Sequence, residues 1–280
     1  MSTRRPPASP STRGPRKGIP AAAPDRTGEY TESATPADTR RTLTDPRIAS
    51  LPDGAVAAST VIGVGGTKWL RLMVRTHVIR PGENIAAVVE RYVRPLVQPG
   101  DWVFVGQKAV SIAQGRLVRE ADVRPGRLAK VLARHVRRTP FGRGLGRPAT
   151  MQVALQEGGA SRLLLASVVH LAARALGRSG AFYRIAGQRI ATIDGVTDWA
   201  LPPYNRCIVL YPNDPDRTAA RIAGRSGVPA AIVDLNDLGG EVLGASDGID
   251  RPLLVRIVAD NPMGQGAFRT PIGIARRLQE

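Results

Sequence analysis

The sequence predicts an α+β fold, in which mixed sheets pack against helices. Short apolar runs typical of strands are mixed with helical repeats of apolar residues, and no strict βαβ repeat orders them. The 280 residues provide ample material for a core, and a hydrophobic content of 42 % is ordinary. No internal repeat is visible. We therefore expect one large domain over residues 51–280, preceded by a disordered basic tail over residues 1–50.

The predicted tail is defined by its composition. Residues 1–50 are rich in Pro, Arg, Ser, Thr and Ala and contain almost no large apolar residues. Such a segment cannot bury enough apolar surface to offset the conformational entropy lost on ordering. We expect it to be dispensable for chemistry.

The first predicted elements of the domain are two strands and a helix. Val61–Gly66 predicts a strand that enters a Gly-rich turn, and Trp69–Ile79 predicts another strand. Lys68 follows the glycines, but the spacing does not match a phosphate-binding loop. Asn84 is the predicted N-cap of a helix whose apolar residues recur at helical spacing until Pro99–Gly100.

The middle of the chain predicts a strand and three helices. His135 lies on the apolar stripe of the first of these helices, so we expect it to be packed rather than to bind a ligand. The last helix is apolar nearly all round and is expected to be buried. The predicted elements are a strand at Trp102–Val105, helices at Arg127–Arg138, Thr150–Gln156 and Ser161–Leu176, and a glycine-rich loop at Thr139–Pro148.

The last third of the chain alternates between predicted strands and loops, with one helix. The predicted strands are Arg189–Ile193, Arg206–Leu210, Pro229–Val233 and Leu253–Val258, and the helix is Asp216–Ala223. Cys207, the single cysteine, lies in an apolar run, so we expect a buried, inert thiol. A lone cysteine also fits a reducing compartment. With no apolar stretch long enough to span a membrane and no secretion signal, we expect a cytoplasmic protein.

Carboxylates follow two of these predicted strands. Asp194 and Asp198 come after the first apolar run, and Asp234 and Asp237 come after the run Ala230–Val233. Two such turns brought together would form the carboxylate cluster that a hard cation and a nucleotide phosphate need. The alternative is that each aspartate only caps a turn or a helix.

The charge distribution bears on the same question. The net charge is +17, with 40 Lys and Arg against 23 Asp and Glu, which fits an anionic partner such as nucleic acid or a phosphorylated small molecule. Ten of the 23 acidic residues lie between Asp194 and Asp260. This concentration of negative charge in an otherwise basic chain favours a metal–phosphate site over a protein that simply binds nucleic acid.

Several segments resemble a known family. The segment Val78–Arg116, with IRPGENIAAVVERYV and VFVGQKAVSIAQGR, resembles the start of the coenzyme F-420:gamma-glutamyl ligases, which are CofE-like amide ligases. YPNDPDRTAARI is similar to a later segment of that family, and AAIVDLNDLGG stands where the family has an aspartate-containing turn. The chain is identified as a divergent member, and the resemblance covers roughly residues 61–245.

The resemblance implies an intertwined homodimer that uses a nucleoside triphosphate, GTP or ATP, with Mg or Mn. A small-molecule carboxylic acid would be phosphorylated, and an amino acid such as glutamate would then attack it to form an amide. It implies that Asp198 and Asp237 are catalytic and share a cation, with Asp194 and Asp234 as additional ligands. Catalytic Lys108 would face a phosphate, and the other nucleotide-binding candidates are Gln107, Ser111, Arg116 and Asn236.

A second hypothesis belongs to a different class. The basic charge and the Arg-rich tail also fit a non-catalytic protein that binds anions or nucleic acid and retains the ligase fold. Converging aspartates would distinguish the two, because carboxylates repel phosphate unless a metal lies between them.

Overall fold

The computed structural model describes residues 56–136, 144–175, 185–236, 239–264 and 268–278. The predicted tail, Asp237 and the first half of the predicted glycine-rich loop lie outside these residues. Within them, the α+β class is confirmed, because mixed sheets pack against helices. No described helix has the length and apolar character that crossing a membrane would require.

A six-stranded sheet forms the centre of the fold, in the order β1-β2-β8-β3-β6-β7. Neighbouring strands are antiparallel except for β3 and β6, which are parallel. A separate antiparallel pair is formed by β4 and β5. The strands are β1 (Val56–Val64), β2 (Thr67–Val74), β3 (Trp102–Gly106), β4 (Leu117–Arg119), β5 (Cys207–Val209), β6 (Ala230–Asn236), β7 (Gly239–Ala245) and β8 (Ile272–Arg277).

Helices cover both faces of the sheet. One face packs on α1, α2 and α7, and the other packs on α8. The helices are α1 (Ile85–Val93), α2 (Gln107–Ala113), α3 (Arg127–His135), α4 (Pro148–Gly158), α5 (Ala160–Ala175), α6 (Gln188–Ala191), α7 (Pro215–Ser226) and α8 (Arg251–Ile257).

Local signals fix several of these boundaries. The side chain of Asn84 accepts hydrogen bonds from the amides of Ala86 and Ala87, which confirms the predicted N-cap. Gly65 and Gly66 both have positive φ and connect β1 to β2, as a two-residue hairpin loop requires. The glycines before Lys68 therefore form a hairpin turn.

The β4–β5 pair lies between two hydrophobic cores. Because side chains alternate along a strand, Cys207 and Val209 contribute to the core of the main sheet, whereas Ile208 contributes to a second core with α3, α4 and α5. Cys207 is a buried free thiol, as predicted. Adjacent residues of one short strand thus connect the two parts of the fold.

Two predicted strands are wrong. Leu253–Val258 is helical, because Asp250 caps α8 by accepting a hydrogen bond from the amide of Leu253 and a proline occupies the first turn. Arg189–Ile193 is mostly the short helix α6, and Thr192 donates its hydroxyl back to the carbonyl of Gln188. Short apolar runs fit either period, so packing and caps decide them.

Two burial predictions are also wrong. His135 is exposed at the end of α3, and its ring contacts only the carbonyl of Val131 through Nδ1 among described residues. Helix α5 is not buried all round, because Leu164, Leu165 and Val168 are exposed. The small residues Ala129 and Ala133 instead pack α3 against its neighbours.

Gly273 is expected to be intolerant of any side chain. It lies opposite the fully buried Phe104 in the β3–β8 pair, and an added Cβ would lie 2.1 Å from the ring. We expect Gly273→Ala to lower the free energy of unfolding by about 1–3 kcal/mol, the usual cost of overpacking. Gly224→Ala is the control, because its helical site is open and alanine should stabilise it by about 0.5–1 kcal/mol. Urea unfolding in which both variants shift the midpoint in the same direction would contradict this.

Candidate functional site

The candidate site is a cavity of about 620 Å³ at the edge of the sheet where β3 and β6 end. Because these strands are parallel, both present the residues that follow them at the same edge. Gly106 pairs with Val233 in the ladder, so Lys108 and Asp234 follow at neighbouring positions. The cavity is also lined by residues of the segments 191–201, 261–264 and 268–271.

Lys108, Asp194 and Asp234 form a charged cluster in this cavity. Lys108 Nζ lies 3.1 Å from Asp194 Oδ2, and it also lies 5.9 Å from the centre of the Trp199 ring. Burial and, to a smaller extent, the Asp194 carboxylate together raise the pKa of Asp234 to about 7, against the opposing effect of Lys108. The single lysine therefore does not neutralise both carboxylates.

Backbone hydrogen bonds hold Asp194 in place. Its amide donates to the carbonyl of Val209, and the amide of Val209 donates to the carbonyl of Asp194, both at 2.9 Å. The neighbouring Ile193 is buried in the second core. Asp194 thus extends from a fixed segment rather than from a free loop.

The predicted phosphate-binding turn is the first turn of α2. Lys108 lines the cavity, as does Gln107, although the amide nitrogen of Gln107 donates to Ser111 Oγ and to the carbonyl of Leu210. Ser111 is fully buried and does not line the cavity. The helical period separates Ser111 from Lys108, because residues 107 and 111 lie on the inner face of α2 and residue 108 does not.

Arg116 is likewise not brought to the cavity. Its guanidinium pairs with Glu157 at 2.6 Å and donates through Nε to the carbonyl of Tyr211. Among the described residues, these contacts connect the segment before β4 to α4. A contact with nucleotide would require this ion pair to break.

Of the two aspartates predicted to share a cation, only Asp198 lies within the described residues. Asp198 is exposed and is not among the residues that line the cavity, and Asp237 lies outside the described residues. Asn236, at the end of β6, does line the cavity. The structure therefore brings together Asp194 and Asp234, which were expected to be the additional ligands.

Sequence reasoning missed several groups that line the cavity. His77 is fixed by Tyr92, which is 2.9 Å from Nδ1, and by Glu83, which is 2.8 Å from Nε2. The hydroxyl of Tyr204 donates to the carbonyl of Ile79, and burial raises the pKa of that phenol to about 12. His77 lies in a loop and Tyr204 begins a short 3-10 turn, and neither stands in a recognisable motif, so no local signal identified them.

The carboxylates fit a small hard cation. Asp194 and Asp234 offer oxygen ligands, and Mg²⁺ is commonly bound by one or two carboxylates together with phosphates and water. Burial and the Asp194 carboxylate raise the pKa of Asp234 despite the nearby Lys108, so a cation bound between the two carboxylates would be favoured. Within the described part of the chain, no group of three or more His, Cys, Asp or Glu is placed to hold a metal.

Asp234 should make stability depend on pH. Its folded pKa of about 7 exceeds the ordinary value of 3.8, so the native state binds the proton more tightly than the unfolded state. The stabilisation of the native state by the protonated Asp234 is fully present below pH 4 and is lost as the pH rises towards 7. We therefore compare Asp234→Asn with wild type in the presence of a metal chelator. The difference in their free energies of unfolding should increase in favour of the variant by about 1–3 kcal/mol between pH 4 and pH 8.

Thermal melts across this pH range measure the effect. The exposed Asp247→Asn variant is the control and should follow the wild-type profile. An Asp234→Asn profile parallel to that of wild type would contradict the raised pKa.

Comparison with known proteins places the chain in a family. No curated protein matches the chain. The sequence model of the family described as F420-0:Gamma-glutamyl ligase matches residues 73–226, which is more than half of the chain. That range contains the strand β3, the helix α2 with Lys108, and Asp194. The chain therefore belongs to the F420-0:gamma-glutamyl ligase family.

Proposed function

We propose that this protein is a metal-dependent ligase that joins a carboxylic acid to an amino acid such as glutamate at the expense of a nucleoside triphosphate. The observation that supports it most is the convergence of Lys108, Asp194 and Asp234 in one cavity. Family membership gives the reaction class, because the family consists of gamma-glutamyl ligases.

The proposed reaction has two steps. A carboxylate oxygen of the acid attacks the terminal phosphorus of the triphosphate, the bond to the bridging oxygen breaks, and a nucleoside diphosphate leaves. An acyl phosphate results. The amine of the amino acid then attacks the acyl carbon, inorganic phosphate leaves with the electrons of the carbon–oxygen bond, and the amine gives up a proton to form the amide.

Lys108 is the proposed stabiliser of charge on the transferred phosphoryl group. It lies in the first turn of α2, about one-third exposed, and its present partner Asp194 is also partly exposed. A phosphate that enters the cavity would therefore meet a positive charge that needs little desolvation. Positioned cations of this kind supply much of the catalysis in phosphoryl transfer.

Asp194 and Asp234 are the residues that would hold Mg or Mn. A bound cation would neutralise phosphate oxygens and the two carboxylates together. Asn236 is the proposed polar contact for the nucleotide, because it lines the cavity two residues beyond Asp234. Either GTP or ATP suits this arrangement.

Product formation tests the proposal. We expect mass spectrometry to detect a glutamyl amide after wild-type protein is incubated with nucleoside triphosphate, Mg²⁺, glutamate and a panel of carboxylic acids. Lys108→Ala should lower turnover by roughly 10²–10³, the scale for removing one electrostatic stabiliser. Its melting temperature should barely change, because a surface ion pair contributes about 0–1 kcal/mol.

Lys68→Ala is the matched control, since this lysine is exposed on β2 and does not line the cavity. It should keep wild-type turnover. A Lys108→Ala protein that ligates at the wild-type rate would exclude the proposed role of this residue, and the absence of product from every acid would count against ligation.

We also propose that the active form is a homodimer that covers the exposed face of α5. Leu165 and Val168 are 57 % and 63 % exposed, and Leu164 lies beside them. Adjacent apolar side chains on one helix face are typical of a protein interface.

The dimer proposal predicts that Leu165→Glu with Val168→Glu yields a monomer in light scattering, because buried unpaired charge is costly at an interface. Val61→Glu is the control, since Val61 is similarly exposed but lies on β1. A double variant with the same mass as wild type would contradict an interface at α5.

A further inference from the structure

Residues 261–264 and 268–271, which follow α8, contribute one wall of the cavity. Met263, Gly264, Phe268 and Arg269 all line it, together with the residues that lead into β8. This wall lies beyond the residues 73–226 that match the family. It is therefore a place where this chain can select its own reactants.

Hydrogen bonds fix this wall beside the charged cluster. The amide of Thr76 donates to the carbonyl of Arg269 at 2.9 Å, and the hydroxyl of Thr270 donates to the carbonyl of Met263. The amide of Gly106 donates to the carbonyl of Pro271 at 2.8 Å. Gly106 is only two residues before Lys108, so the wall adjoins the first turn of α2.

Arg269 has an unusual backbone in this wall. Its φ is +56°, which lies in the left-handed region that residues other than glycine seldom adopt. A glycine would adopt it without steric cost. Non-glycine residues in such conformations are concentrated at functional sites. The presence of arginine here therefore favours a role for its side chain.

The charge of Arg269 has no counterion within the described residues. Its side chain is exposed, and it makes no hydrogen bond or ion pair with another described residue. By contrast, Arg147 and Arg276 pair with carboxylates, and the nearby Asp194 is paired with Lys108. Arg269 lines the cavity, and no described carboxylate competes with an incoming anion for its guanidinium.

We propose that Arg269 is a specificity-determining residue that binds an oxyanion of a reactant, either the carboxylate of the amino acid or a phosphate of the nucleotide. The planar guanidinium can donate two parallel hydrogen bonds to either group, which a lysine cannot match. The proposal rests on the proposed function for its two candidate reactants and extends it to a residue outside the family match.

Direct binding tests the proposal without turnover. Isothermal titration would measure Kd for glutamate and, separately, for a non-hydrolysable triphosphate analogue with Mg²⁺. We expect Arg269→Gln to raise one Kd by about 10- to 100-fold, as for the loss of one charge-assisted pair. The reactant whose Kd rises identifies the source of the oxyanion. Arg269→Lys should give an intermediate loss, because the charge remains without the bidentate geometry.

Two further variants separate the side chain from the backbone. Arg269→Gly should melt at or above the wild-type temperature, since it relieves the positive φ, yet bind as weakly as Arg269→Gln. Arg256→Gln, an exposed arginine of α8 outside the cavity, should bind both probes as wild type does. Binding of neither probe by wild type, or unchanged binding of both by Arg269→Gln, would overturn the proposal.

The outcomes also distinguish this inference from the proposed function. If no amide product forms but Arg269→Gln still weakens the binding of a probe, the ligase reaction fails and the role of Arg269 stands. If product forms and Arg269→Gln binds both probes and turns over as wild type does, the reaction stands and the role of Arg269 fails.

Discussion

The parallel pairing of β3 with β6 is the constraint on which the candidate site depends. It is the only parallel pair among the described strands, and it aligns Gly106 with Val233. Because the two strands run in the same direction, Lys108 and Asp234 emerge at one edge of the sheet. Antiparallel pairing of the same two strands would place them at opposite edges. The proximity of Lys108 and Asp234 therefore follows from strand direction before any side-chain contact is made.

The cluster is electrostatically incomplete in a way that suits phosphate chemistry. Two carboxylates and one ammonium group face the cavity, and burial adds to the cost of the second negative charge, so the pKa of Asp234 rises. A divalent cation would remove that cost and would also attract phosphate. Lys108 and Arg269 then offer positive charge from two different walls, which is consistent with reactants that bring more than one anionic group.

The small β4–β5 pair connects this chemistry to the second core. Val209 belongs to the core of the main sheet and also exchanges backbone hydrogen bonds with Asp194. Ile208, its neighbour, packs among α3, α4 and α5. A change in the packing of those helices would thus reach Asp194 through Ile208 and Val209. This arrangement also places the exposed face of α5 in the part of the fold that supports the site.

The sequence by itself determined the elements whose signals are local. Asn84 as a cap, the apolar strand Trp102–Val105, the buried Cys207 and the position of Lys108 just after a strand all follow from residue type and period. Only the tertiary structure decided that Asp194, rather than the exposed Asp198, faces Asp234, and that Ser111 and Arg116 turn away from the cavity. It also placed Arg269 among the residues that line the cavity. The physical reason is that a site joins segments far apart in sequence, and their register is set by strand pairing and packing, which no local pattern contains.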